Sequence, residues 1–101
     1  MAEEFVHNRD DHRFEAWVDG AFTGEIAYAL LPGDGGTVAD FLHTWVDDSA
    51  RGTGLAGRLA QFAFDQVRAG GEWTIKPTCP YVIAWSKPHP EYADLLLEPA
   101  G

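Results

Sequence analysis

The sequence predicts a mixed α+β fold, an antiparallel meander of about four strands followed by a β–α–β unit. Three observations carry this. From Phe5 to Val46, short apolar, aromatic and β-branched runs alternate with turn clusters, and no helical period is present. From Leu55 the period changes: Arg58, Gln61, Asp65 and Arg68 fall on one polar stripe, with Leu59, Phe62, Ala63 and Val67 away from it. A further strand, Trp73 to Pro77, follows that helix. So short a strand–helix–strand unit places its two strands parallel, with a right-handed crossover.

Taken in order, Phe5-Val6-His7 is a short strand, and Asn8 to Asp11 is a polar turn. Arg13 to Val18 alternates weakly, with Phe14 and Ala16 against Glu15 and Trp17. Asp19-Gly20 is the strongest local hairpin signal in the chain. The return strand runs from Ala21 to about Leu31, and Pro32 to Gly36 forms a second turn into Thr37 to Val46. The composition of Phe41 to Val46 suits a buried strand. Arg51-Gly52-Thr53-Gly54 interrupts it, since glycine accepts dihedrals closed to other residues and lets the backbone approach something else. Gly70-Gly71 stops the helix. Pro77 and Pro80 bracket Thr78-Cys79, and Tyr81 to about Ser86 forms a short helix with Pro80 near its first position. Lys87 to Pro90 is irregular. Glu91 to Leu97 forms a last helical turn or two, with Leu95 to Leu97 tucked against the sheet.

At 101 residues, one domain over 1–101 is the expectation. Four Trp and six Phe fill a small core and argue against disorder. A formal net charge of −9 makes the chain a poor non-specific binder of nucleic acid or anionic membrane, so neither is expected as a partner. The single cysteine, Cys79, precludes an internal disulfide and fits a reducing cytoplasm. Met1 to Glu4 is acidic with no apolar segment behind it, and no apolar run reaches the ~18 residues of a membrane span.

A strand feeding a glycine turn at a helix N-terminus offers unpaired amides and the positive end of the helix dipole, a natural site for phosphate. Ligands of such sheets sit beyond the C-terminal ends of the parallel strands, here Trp45 to Gly54 and Pro77 to Tyr81. Gly52-Thr53-Gly54-Leu55-Ala56-Gly57 matches G-x-G-x-x-G literally, which keeps a nucleotide-binding reading in play. Against it, the second strand ends in Lys76-Pro77-Thr78-Cys79-Pro80 without the acidic residue that takes a ribose, and a meander precedes the motif. A P-loop is excluded because no Lys-Ser/Thr follows the glycines. The plainest alternative is a tight strand-to-helix turn without a ligand.

Arg51, Gly54 and Ala56 also fit R-x-x-G-x-A, which resembles the acyl-CoA pyrophosphate loop of the GNAT superfamily of N-acetyltransferases. His43-Thr44, Thr78-Cys79-Pro80-Tyr81-Val82 and His89-Pro90-Glu91-Tyr92-Ala93-Asp94-Leu95 extend the resemblance to one subgroup of about 100-residue, single-domain GNAT-like proteins, over roughly Phe14 to Leu95. The resemblance implies that the strands flanking the helix splay apart and that the pantetheine arm of acetyl-CoA lies between them. It implies that backbone groups of Trp45 and Val46 pair with that arm. The amides of Gly52, Thr53, Gly54, Leu55 and Ala56 would hold the pyrophosphate, with Arg51 beside it. It implies acetyl-CoA as cosubstrate, no metal, and transfer of acetyl by direct attack of a primary amine, in a small molecule or a protein.

Cys79 sits where the thioester should arrive: it forms an acyl-enzyme, acts as acid for the CoA thiolate, or only lines the pocket. His43 shares a face with Trp45 and is either a general base or a hydrogen-bonded core histidine. Tyr81 and Trp85, four apart, either stack on adenine or pack. Lys87 and His89 either meet the nucleotide end of CoA or form a surface turn. His7 and His12 lack a third metal ligand at fitting spacing. Asp47 and Asp48 would repel a phosphate unless they point outward. Subgroup members often carry a carboxylate where this chain has Trp45, which cannot accept a proton. That departure supports a second reading, a non-catalytic CoA-binding or protein-interaction module. A monomer or weak homodimer is expected.

Overall fold

Asp19 and Gly20 both adopt positive φ, 50° and 83°, the conformation a two-residue hairpin turn demands. They join β2 (Arg13–Val18) to β3 (Ala21–Gly33), and β1 (Glu3–Asn8) pairs with the other edge of β2. The computed structural model describes residues 2–97. β3 pairs with β4 (Gly36–Val46) through a turn of only Asp34 and Gly35, with Gly33 opposite Gly36. The strand therefore carries on through Pro32 and Gly33, which the sequence reading spent on the turn. A 3₁₀ turn (Asp48–Ala50) leads to α1 (Leu55–Gly70), β5 (Trp73–Pro77), α2 (Pro80–Ser86) and a second 3₁₀ turn (Pro90–Leu95). The five strands lie in sequence order, antiparallel except for the parallel pair β4–β5. This is the predicted α+β architecture. Leu96 extends it slightly, bridging in parallel to Ile75, and the Leu97 N–H donates to Ile75 O at 2.7 Å.

α1 buries Leu55, Leu59, Ala60, Ala63, Phe64 and Val67. They meet Phe14, Ala16, Ile26, Tyr28, Ala39, Phe41 and Ile75 from one face of the sheet. Gly71 closes the helix at φ 67°, its N–H donating to Val67 O at 3.1 Å. The alternation of β4 is broken once. Tyr28 pairs with Phe41 and Ala27 with His43, so Leu42 is an extra residue, a β-bulge. Before it, Ala39 and Phe41 face α1. After it, Thr44 (opposite Ile26) takes that side, while His43 and Trp45 (opposite Ala27 and Glu25) face the other way.

His7 is held in this core without charge. Its Nε2 lies 2.8 Å from the Tyr28 hydroxyl, and its ring stacks on Phe14 at 4.3 Å. Burial, with a smaller contribution from the Arg9 charge, pushes its pKa from 6.5 down to about 4. The fold thus prefers the neutral ring. The stability this contributes is complete above pH 6.5 and is lost as pH falls toward 4. Allowing for the water that still reaches the ring, the loss is about 2 kcal/mol. Urea unfolding across this range should show wild type losing stability more steeply than His7→Gln.

Candidate functional site

β4 and β5 stop pairing at Phe41 and Pro77. Pro77 has no N–H to give, Thr78 N–H turns back to Lys76 O at 3.0 Å, and Pro80 starts α2. The last backbone bond between the two limbs runs from Cys79 N–H to Phe41 O at 2.8 Å. Beyond it the limbs diverge. This corrects the expectation of a buried strand over Phe41 to Val46. Phe41 is fully buried, but Leu42 and Trp45 are 42% and 39% exposed: Leu42 is the bulged residue, and Trp45 lies on the face turned away from α1.

The divergence opens a cleft of about 220 Å³, lined by Thr44, Trp45, Val46, Arg51, Ala56 and Tyr81. Five of these six were predicted; Thr44 was not singled out. Gly52 and Gly54 turn the chain into α1 with φ of 80° and 85°, where a side chain would be strained. Two of the five loop amides assigned to an anion are engaged inside the loop. Thr53 N–H donates to Ala50 O at 3.3 Å, and Leu55 N–H to the Thr53 hydroxyl at 3.4 Å. Arg58 braces the loop from behind, donating to Thr53 O at 3.0 Å while its fork grips Glu3.

The acids near the loop have local partners. Asp47 accepts from the Ser49 hydroxyl and amide, which with the more distant Arg51 holds its carboxyl below the ordinary range. Asp48 pairs with Arg51 at 3.1 Å, both well exposed, so this is a weak pair.

The two candidate catalytic residues are not brought together. Cys79 is buried, its Sγ 3.4 Å from the Thr44 hydroxyl on the α1 side of β4. His43 lies on the other side, its Nε2 2.9 Å from Glu25 Oε2. Its side chain is 59% exposed, so the reading as a core histidine is corrected: the bulge at Leu42 turns it outward. Glu25 was missed by sequence reasoning, and only the cross-strand register would have found it.

Tyr81 lines the cleft, and burial pushes its hydroxyl pKa up. Trp85 instead packs, 5.1 Å from Phe64 and stacked on His89 at 3.9 Å. The His-Pro-Glu-Tyr run packs against α1. Tyr92 is buried and its hydroxyl donates to Asp65 at 2.6 Å, while Arg68 reaches Asp94 and Glu91 O, so the segment is fastened to α1. Among the described residues, no three His, Cys, Asp or Glu side chains gather as metal ligands, and no helix is long and apolar enough to cross a membrane.

A family model described as GCN5-related N-acetyl-transferase matches residues 13–95. Among solved structures, the chain is similar to the ribosomal-protein-alanine N-acetyltransferase from Brucella melitensis biovar Abortus 2308. They share 20% identity at a TM-score of 0.58, over 88% of this chain and 63% of that one. It is also similar to Arabidopsis thaliana Naa50, solved in complex with the bisubstrate analogue CoA-Ac-MVNAL, at 18% identity and a TM-score of 0.50. That match takes in 68% of this chain and 42% of the other. The chain therefore spans less than two thirds of either relative. No curated protein matches it. At these identities the structural likeness shows the fold, the meander and splayed β–α–β unit. The family match, from β2 to the last 3₁₀ turn, takes in both limbs of the split and the loop between them. The chain belongs to the GCN5-related N-acetyl-transferase family.

Proposed function

We propose that the chain is a single acetyl-CoA-binding domain that transfers acetyl to a primary amine by direct attack on the thioester. One observation carries the reading: the split of β4 from β5 opens directly beside a glycine loop at the N-terminus of α1. The amides of Gly52, Gly54 and Ala56 are the donors for pyrophosphate, aided by the helix dipole and by Arg51, whose exposed pair with Asp48 is easily exchanged. The free edge of β4 at Trp45 and Val46 receives the amide-bearing arm, and Tyr81 forms the opposite wall. When bound, acetyl-CoA supplies the activated acyl group. His43 takes the proton of the attacking amine. Cys79, buried against Thr44, lines the path of the sulfur or hands it a proton.

Calorimetric titration of acetyl-CoA tests this. Wild type should bind, and the Arg51→Glu/Gly54→Asp double mutant should lose at least 100-fold in affinity, about 2.7 kcal/mol. Failure of wild type to bind sinks the reading. One observation favours a second reading, a CoA-binding or protein-interaction module without turnover: none of the six residues lining the cleft is a carboxylate or a histidine. Release of CoA thiol in the presence of amines would count against it.

A further inference from the structure

We propose that Glu25 is a positioning residue for His43, holding the imidazole in the tautomer whose free nitrogen, Nδ1, receives the proton of the acceptor amine. This rests on the transferase reading above.

Glu25 stands opposite Trp45 in the β3–β4 ladder, and Ala27 stands opposite His43, so Glu25 and His43 are diagonal neighbours on the face turned away from α1. Glu25 Oε2 is 2.9 Å from His43 Nε2. An ionised carboxylate only accepts, so in the neutral ring Nε2 carries the hydrogen and Nδ1 keeps its lone pair.

The carboxylate is itself held in place. Arg13 Nη1 lies 3.6 Å from Glu25 Oε1, and Arg13 Nε donates to Glu15 at 2.5 Å. Glu15 also accepts from Asn8 at 2.9 Å and Trp17 at 3.0 Å. Burial would raise its pKa, but these three donors outweigh burial and leave it lowered and charged. A chain of held groups across β1, β2 and β3 thus ends at a single reachable ring. The His43 side chain is 59% exposed, whereas that of Glu25 is 18% exposed. An ordinary surface ion pair exposes both partners; here only the base is open.

The place is also right for the chemistry. His43 is the second residue past the end of β4–β5 pairing and shares its face of β4 with Trp45, which lines the cleft. In the step, the amine nitrogen bonds to the thioester carbonyl carbon and the C–S bond breaks. The proton leaving nitrogen goes to His43 Nδ1, and the resulting imidazolium faces the Glu25 carboxylate. The proton then passes to the departing thiolate, so that amine and thioester become amide and thiol.

The test follows CoA thiol release from acetyl-CoA with spermidine and a lysine-containing peptide as acceptors. Acetyl-CoA affinity is measured separately by calorimetry, and folding by circular dichroism. Glu25→Ala should lower kcat about 30–100-fold while the KM for acetyl-CoA stays within about twofold. Glu25→Gln, which keeps an acceptor oxygen, should recover part of that loss. The Glu25→Ala/His43→Gln double mutant should be no slower than His43→Gln alone. Losses that multiply in the double mutant, or a Glu25→Ala effect confined to KM, overturn the positioning role. A wild type that fails to bind acetyl-CoA overturns the transferase reading itself. Binding with turnover indifferent to Glu25 overturns only this inference.

Discussion

Phe14→Ala should destabilise the fold by about 3–5 kcal/mol. Phe14 is fully buried as the second residue of β2. Its ring is 4.3 Å from His7, 5.3 Å from Tyr28, 5.6 Å from Phe41 and 6.3 Å from Phe62, centroid to centroid. These partners come from β1, β3, β4 and α1. No single one can move in to fill the space without leaving the others, so the cavity persists and its cost adds to the lost burial. A domain of this size is stable by only about 5–15 kcal/mol, so the variant should approach the edge of folding at physiological temperature. Urea unfolding monitored by tryptophan fluorescence measures it. A loss under about 1 kcal/mol would mean that the aromatic cluster repacks, contrary to its distribution over four elements.

Ala56→Trp should abolish acetyl-CoA binding while leaving the fold standing. Ala56 is the second residue of α1 and lines the cleft beside Arg51 and Tyr81. An indole there fills much of a space of about 220 Å³ and masks the first-turn amides. The position is only half-buried and borders the open cleft, so the unliganded protein should unfold close to wild type. The affinity should fall at least about 100-fold, or 2.7 kcal/mol. Thermal unfolding gives a second readout, because a ligand that binds only the folded state raises the midpoint of wild type and should leave that of the variant unmoved.

The parts of this fold that the sequence declares are those fixed by local chemistry. Asp19-Gly20 announces a hairpin because few residues accept positive φ twice in succession. Trp73 to Pro77 is bounded by glycine on one side and proline on the other, and the structure keeps those limits. The loop of Gly52 and Gly54 and the cleft it borders were legible for the same reason. What stayed hidden depends on register between distant segments. That Glu25 meets His43 follows from pairing across 18 residues. That the Thr53 amide turns back to Ala50 O and the Leu55 amide to the Thr53 hydroxyl follows from a turn geometry no periodicity reports. The exposure of Leu42 and Trp45 follows from the bulge, which an apolar run does not announce, and with β5 ending early Thr44 to Val46 become a wall of the cleft.

The extra residue at Leu42 gives β4 two phases. Odd-numbered Ala39 and Phe41 serve the core, yet odd-numbered His43 and Trp45 serve the opposite surface, and Thr44 inherits the inner side. The strand therefore encodes its scaffold and its reactive edge in opposite parities, separated by one position. Were Leu42 paired in register opposite Ala27 instead of bulged, the two would fall into step: His43 would swing toward α1, Thr44 would leave Cys79, and every cross-strand partner beyond would be exchanged at once. No side chain named in the site would have been altered, so a scan by substitution would never reveal how much of the site rests on that one count.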